Sequence, residues 1–567
     1  MEEIYQQAKR TIIHLGEYNG ARQAFSLMRD LVWLHQYYDS IVDNPAFEAF
    51  VGWATKKEIR DGLIGCIGDL AQMDTRWPRL GHILRDGYFS RVWIMQEVVF
   101  GSTCHIRCGG VWLDWRDFAR AVALVFDDET RNANYLGRLR MSGSVSTVAH
   151  LLHLITLKDK EALSRALGTR AIRPTLCEIL CSALVEGLQS SDPRDRVFGL
   201  VSLSRNARDP DFAPDYSNTH DLGDFYTRLC CKFLRRGGGR HIFRAAGIGR
   251  SRFVSDLPSW VPDWTCKSEP PAHSALQPPF SAGGRRDAPL NFPGPKEISI
   301  RGIVFDRINA VSDRQFLLGA KQLRDAPPTH RLFHACLAIF EALKLSRSLA
   351  DDSGNTAQSQ SPPRGYEALW KTFVADSVQT PLFARKKPTQ KSYDWSSPFG
   401  MSGTSQKLLR VYQRVPVGEW DMLLPAWQRI VTFPAVRALL EAELAGGTGP
   451  DRSAEVDLLW KLVRGNRDLE KDVGVILKDG GVSLILGVCV RRFALTEGGR
   501  MALVPPLAVV GDVVCVGVGL EAPLILRKGK DMDGEVVYQL VGEAYVHGIM
   551  DGELAEEADD GGWIRLV

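Results

Sequence analysis

Residues 88–101 read YFSRVWIMQEVVFG. On an α-helix, Phe89, Trp93, Glu97 and Phe100 fall at spacings of four, four and three, which places them on one face. The pattern predicts a helix over 88–100, with Asp86 as its cap and Gly101 just past its end. A glutamate on an aromatic stripe is unusual, because burying an unpaired carboxylate is expensive. One reading is structural: Glu97 meets an ion pair or hydrogen bonds from a neighbouring loop, and DPRDR (192–196) offers two arginines. The other is functional: a carboxylate in an apolar cleft that orients a sugar hydroxyl or stabilises an oxocarbenium-like centre.

Working outward, residues 1–10 read as the end of a helix, and Thr11 to Gly16 as a short buried strand closed by glycine. Helices are expected over 20–38 and 44–73. Cys104 to Leu113 reads as a strand pair turning at Gly109-Gly110. Together these make 1–113 a partial α/β module. Residues 114–265 read as a helical region, in which Asp192-Pro193 marks a helix start. In DLPSWVPDW (256–264), two prolines impose extended backbone and two tryptophans can anchor the stretch on a helical surface. Packing within the chain and partner binding are its two readings.

Residues 266–296 carry many prolines and read as a mobile linker. Strands over 297–320 are expected to join a C-terminal β module. A helical insertion with disordered loops is expected over 321–470, the loops at 345–365 and 384–406. The last stretch, 471–567, holds short β-rich runs between glycine and aspartate turns: 473–476, 482–493, 501–504, 512–518, 523–527 and 536–546. That spacing predicts a small antiparallel barrel or sandwich. The fold class is thus α+β and multidomain.

The chain has 567 residues, 45% of them apolar and 24% charged, which excludes a wholly disordered chain or a coiled-coil rod. Seventy lysines and arginines against 67 acidic residues leave +3, which gives no bulk reason to bind nucleic acid or an anionic membrane. No apolar run is long enough for a membrane span, and the acidic start lacks the pattern of a signal peptide. Eleven cysteines, odd and scattered, suit free thiols in a reducing compartment, so a cytoplasmic protein is expected. P-loop, zincin and nucleophile-elbow motifs are absent. Gly517 to Ala522 imitates a dinucleotide fingerprint but leads to Pro523 and a strand, not a helix. Cys104, His105 and Cys108 lack a second ligand pair, so no metal is expected. Six carboxylates between Asp551 and Asp560 read as a solvated tail, or as weak support for a β module that recognises a protein.

FSRVWIMQEVVFG (89–101) resembles the arginine-valine-tryptophan, glutamine-glutamate signature that closes the fungal heterokaryon-incompatibility (HET) domain. EIYQQAKRTIIHLGE (3–17) resembles the segment before it. The similarity continues through DPRDRVFGLVSL (192–203), PDYS (214–217), LPSWVPDWT (257–265), GDVVCVGVG (511–519), APLILR (522–527) and YQLVGEAYVHGIMDGE (538–553). These pieces, taken together in the family's order, give the resemblance its weight.

The resemblance implies a TIR-like, flavodoxin-like α/β HET module and a signalling or effector role in vegetative incompatibility, allorecognition and regulated cell death. It also implies a protein partner of incompatibility type, and it is compatible with oligomerisation. Many TIR domains hydrolyse NAD with a glutamate four residues after a tryptophan. By this resemblance Glu97 is the catalytic candidate and Trp93 its support, with NAD as substrate and no bound cofactor. Two strand motifs with which HET domains normally begin do not occur here, so the chain reads as N-terminally truncated relative to the family. The expected function is therefore a non-catalytic incompatibility protein. A TIR-like NAD hydrolase using Glu97 is the alternative.

Overall fold

The computed structural model describes residues 2–42, 74–126, 145–186, 188–216, 221–249, 252–265, 280–313, 328–352, 372, 378–381, 410–413, 426–427, 429–446, 453–476, 491–530 and 534–567. The chain divides into two compact units, Met1–Tyr216 with Pro381–Arg410, and Ser217–Thr380 with Val411–Val567. The division falls inside the stretch expected as one helical region, 114–265. The expected helix over 44–73 and most of the loops at 345–365 and 384–406 lie outside the described residues.

The first unit opens with α1 (Glu2–Gln7), β1 (Thr11–His14) and α2 (Ala21–Val42), followed by α3 (Trp77–Leu84) and α4 (Ile94–Phe100). Then come β2 (Cys104–Cys108), β3 (Val111–Asp114), α5 (Trp115–Phe126), α6 (Val145–Ala166), α7 (Leu176–Glu186) and α8 (Asp195–Val201). β1 runs parallel to β2, with Thr11 opposite Cys104 and His14 opposite Arg107. β2 and β3 form an antiparallel hairpin. Its turn needs Gly109, at φ 55°. β1 was expected to be buried, yet it alternates: Ile13 is in the core while Ile12 is 49% exposed. Strand geometry sends successive side chains to opposite faces, and only one face of this strand meets the core.

The helix expected over 88–100 is two pieces. Asp86 accepts the Tyr88 amide and caps a short 3-10 turn, Gly87–Ser90. Arg91 then turns extended, the Gln189 amide bonds to Ser90 O at 2.7 Å, and the Val92 amide bonds to Gln189 O at 2.9 Å. The α-helix resumes at Ile94 and stops at Gly101. Bonding to a distant segment outcompetes helical periodicity here, so Phe89 does not continue the face of Trp93 and Glu97.

The second unit contains α9 (Leu222–Leu234), α10 (Gly239–Ala245), β4 (Leu290–Gly294), β5 (Glu297–Val311) and α11 (Pro328–Asp352). It continues with α12 (Pro434–Gly446), α13 (Ser453–Arg464), α14 (Arg467–Ile476), β6 (Arg492–Thr496), β7 (Met501–Val504) and β8 (Val513–Gly517). It ends with β9 (Leu524–Lys530), β10 (Val536–Glu543), β11 (Tyr545–Val546), α15 (Ala555–Asp560) and β12 (Gly562–Leu566). The pairings β5–β8, β8–β9, β9–β10, β10–β12 and β12–β5 return to their starting strand, so five strands close a barrel. Only β10 and β12 are parallel neighbours.

β5 is long enough to serve four partners, β4 among them. Ile298–Gly302 pairs with β12, Gly302–Arg307 with β8, and its last residues with β6. β6 leads on to β7 and β11. At the shared point, a Cβ on Gly302 would lie 2.3 Å from the Val516 carbonyl oxygen, so only glycine fits. Val514, Val516, Ile525, Val541 and Ile308 fill the interior. Short β-branched runs bounded by turn residues are the signal by which such buried strands are read from sequence.

Three expectations are corrected. Residues 473–476 are helical, not β: Leu469 and Val473 lie four apart on the buried face of α14, and Asp472 between them binds Arg429 at 2.5 Å. Residues 280–296, assigned to the linker, form β4 and a tight loop, because glycines let the backbone approach β8 closely. The acidic run 551–560 is not a free tail. It holds α15, its Asp559 pairs with Arg286 at 2.7 Å, and it leads into β12 between β5 and β10.

LPSWVPDW packs within its own unit. Trp260 and Trp264 are buried, and Trp264 meets the rings of Tyr226 and Phe233 on α9. Asp263 accepts the amides of Phe253 and Val254 through one oxygen and the Thr265 amide through the other.

Candidate functional site

Glu97 sits in the first turn of α4, half-buried, as does Trp93 at the helix cap. One carboxylate oxygen, Oε2, accepts the hydroxyl hydrogen of Tyr88. Tyr5 of α1 lies near enough for the Glu97 charge to act on its hydroxyl. Burial, with the negative charge of Glu97 next in weight, raises the phenol pKa of Tyr5. Burial and then the hydrogen bond to Glu97 raise that of Tyr88 well above the usual tyrosine range. The Arg91 guanidinium lies 5.6 Å from the centre of the Tyr88 ring and opposes both shifts. The carboxylate therefore accepts from one neutral phenol, with a second phenol and one cation nearby, and is not isolated among apolar rings.

The rest of α4 is fixed by contacts on its other sides. Gln96 donates to the Gly199 carbonyl at 2.8 Å in the core. A Cβ on Gly199 would sit 3.2 Å from Val92 and 3.7 Å from the Trp93 ring, so glycine sets how closely α8 approaches. At the C-terminal end, Lys158 of α6 donates to the carbonyls of Val98 and Gly101, each at 2.7 Å. Arg165 donates to Phe100 O at 2.9 Å, and Arg173 lies over the Phe100 ring. Cations at this end oppose the negative pole of the helix. Burial pushes the Lys158 pKa down and the Cys104 thiol, 3.8 Å away, up.

Sequence reasoning found Glu97 and Trp93 and placed them on one helix. It proposed the arginines of DPRDR as partners, yet Arg194 binds Asp192 at 2.7 Å and lies over the ring of Tyr216. Tyr216 in turn donates to Asp195 at 2.5 Å, which joins PDYS to DPRDR in one exposed cluster. Tyr88, which bonds Glu97, and Tyr5, which lies near it, were missed. Tyr88 is nine residues upstream and reaches Glu97 only because the chain bends at Arg91. Tyr5 arrives with α1, and no spacing announces it. Among the described residues no group of three metal-ligating side chains occurs. Cys104 and Cys108 face the core, and the intervening His105 points to the opposite side of β2.

Two family matches frame these geometries. The heterokaryon incompatibility protein (HET) family matches residues 1–97, a span that ends on Glu97. The Het-6 β-barrel domain matches residues 478–563, which holds most of the closed ring. A relative from Neurospora crassa, heterokaryon incompatibility protein 6, OR allele, is 24% identical over 386 residues, covering 65% of this chain. The chain spans about half (50%) of that relative's length. No solved structure matches. A HET match that closes on Glu97, and a Het-6 barrel match that takes in β8, β9 and β10 of the ring, together make the chain similar at both ends to fungal HET-domain proteins.

Proposed function

We propose that the chain acts in vegetative incompatibility as a signalling or effector protein of fungal allorecognition and regulated cell death, working in the cytoplasm through a protein partner and cleaving no NAD itself. The name of its Neurospora relative supports the incompatibility role. The observation that carries the non-catalytic reading is the hydrogen bond from Tyr88 to Glu97 Oε2. A carboxylate that must orient a substrate hydroxyl needs an oxygen lone pair aimed at the substrate. Here a phenol of the same chain engages one of the two oxygens, so a substrate has to use the other or displace Tyr88. The test is nicotinamide release from NAD by the purified full chain, by Glu97→Ala and by Tyr88→Phe. No release from any of the three is expected. Release by the native chain that vanishes in Glu97→Ala would overturn this reading.

That result would establish the second reading, a TIR-like NAD hydrolase. Its support is the four-residue interval between Trp93 and Glu97, with both side chains half-buried and so open to solvent. No cofactor is required by either reading.

A further inference from the structure

Among the described residues β1 pairs with β2 alone, so one edge of the strand is free. Parity decides which groups face that edge. The amides of Thr11 and Leu15 donate to the carbonyls of Thr103 and Arg107, at 2.8 and 2.9 Å. Alternate residues of a strand turn their peptide groups to opposite edges. The odd-numbered residues therefore bond toward β2, and Ile12 and His14 turn their amides and carbonyls outward. Both residues are exposed. The His14 ring accepts the Gly16 amide at 3.3 Å, which ends the run of outward amides at His14. The approach to this end of the strand is open, because a Cβ on Gly16 would meet nothing within 4 Å.

The strand is also charged unequally at its two ends. Lys9 and Arg10 precede it and Glu17 follows it. All three are exposed, and none has an ion-pair partner among the described residues. An edge with cations at one end and a carboxylate at the other is matched by its own antiparallel copy. A parallel copy would set like charges together.

We propose that β1 of one copy of the chain pairs antiparallel with β1 of a second copy, about a two-fold axis at Ile13. Ile12 then lies opposite His14 of the other copy, and each such pair exchanges both of its peptide hydrogen bonds. The exposed Ile12 side chain is covered by the His14 ring across the join. The same register sets Lys9 against Glu17 at both ends. Sliding one strand by two residues keeps the amides facing but sets Lys9 against Leu15 or Asn19, and sliding by one turns the amides out of register. Charge and parity thus select one pairing. The contact uses the same patch on both copies, so it closes as a dimer, and a strand of four residues makes that dimer a weak one.

The test is sedimentation velocity of the full chain over rising concentration. The native chain is expected to pass from monomer to dimer and no further. Ile12→Pro removes an amide that faces away from β2, so it is expected to keep the native melting curve and to weaken association roughly tenfold, since each strand loses a hydrogen bond. Lys9→Glu and Glu17→Lys, both at exposed positions outside the strand, should each weaken association roughly threefold to tenfold, because each acts at both ends of the dimer. Mixing these two variants should restore native association, since every end of the mixed dimer again sets a cation against a carboxylate. Added salt should narrow the gap between the charge variants and the native chain. If Ile12→Pro melts earlier than the native chain, the charge variants alone decide the question. A native chain that stays monomeric at every concentration, growth beyond a dimer, or a mixture no tighter than either charge variant by itself would each overturn the proposal.

Discussion

The Lys158 ammonium stands 2.7 Å from the carbonyl oxygen of Gly101, at the end of the short helix that carries Glu97. A seven-residue helix is marginal by itself. This one is held by cations on its terminal carbonyls and by Gln96 and Glu97 along its sides.

Lys158→Met keeps the length and apolar stem of the side chain but leaves the Val98 and Gly101 carbonyls with only the weak Cys104 thiol donor, 3.7 and 3.6 Å away. One thiol cannot serve both acceptors, so a cost of about 1–3 kcal/mol is expected. Urea unfolding of the variant is expected to show a lower midpoint with an unchanged slope. A variant as stable as the native chain would mean that the cap contributes nothing.

Tyr88→Phe removes the hydroxyl that Glu97 accepts while preserving the ring. Glu97 is only half-buried, so water recovers part of the loss, and a cost of about 1 kcal/mol is expected. Glu97→Gln in the same background should add little more, because the two residues act on one hydrogen bond. A double-mutant cycle by chemical denaturation measures this coupling. Strict additivity would show that the two side chains are independent.

Asp159 gives a pH signature. Burial raises its carboxyl pKa to about 7, and its Oδ2 has no hydrogen-bond partner. The folded value lies above the unfolded one, so the folded state holds its proton longer. The favourable contribution is complete below the unfolded value near 4 and is lost as pH rises through about 7. Asp159→Asn should therefore be more stable than the native chain at pH 8, by up to about 4 kcal/mol, and the gap should close toward pH 4. Thermal melts across that range check it. A pH-independent difference would rule the titration out.

In the second unit, Arg491 and Glu543 are 5% and 4% exposed and paired at 3.4 Å, with Arg244 3.7 Å from the same carboxylate group. Arg491→Met strands much of a buried charge. Removing one partner of such a pair costs about 3–5 kcal/mol. Loss of the cooperative barrel transition at a lower denaturant concentration is the expected result.

Much of this architecture was legible in the residues. The strands at 501–504 and 513–517, and the long strand from 297, follow from short β-rich apolar runs between glycine turns. That residues near 300 join a β module two hundred residues later was also readable, because a lone amphipathic strand needs a sheet. What failed was decided by partners distant in sequence. The helix over 88–100 breaks at Arg91 because Gln189 bonds there. The apolar run at 473–476 is helical because Leu469 and Val473 share a face whose other half lies upstream. Glu97 was identified as the unusual residue, but its environment was not. A stripe of aromatic letters predicts an apolar setting, and the tyrosine hydroxyls, which lie at the ends of two such rings, reverse its chemistry.

The placement of β12 bears on how the molecule is made. Its five residues fill the gap between β5 and β10, yet Glu297 and Gly562 are separated by most of the second unit. During synthesis the ring stays open until residues 562–566 have left the ribosome, and the edges of β5 and β10 wait unpaired. A chain interrupted between β10 and β12 thus carries two bare strand edges, each a template on which another chain could pair. Residues 562–566 act as the clasp that turns an adhesive open sheet into a ring with its backbone hidden.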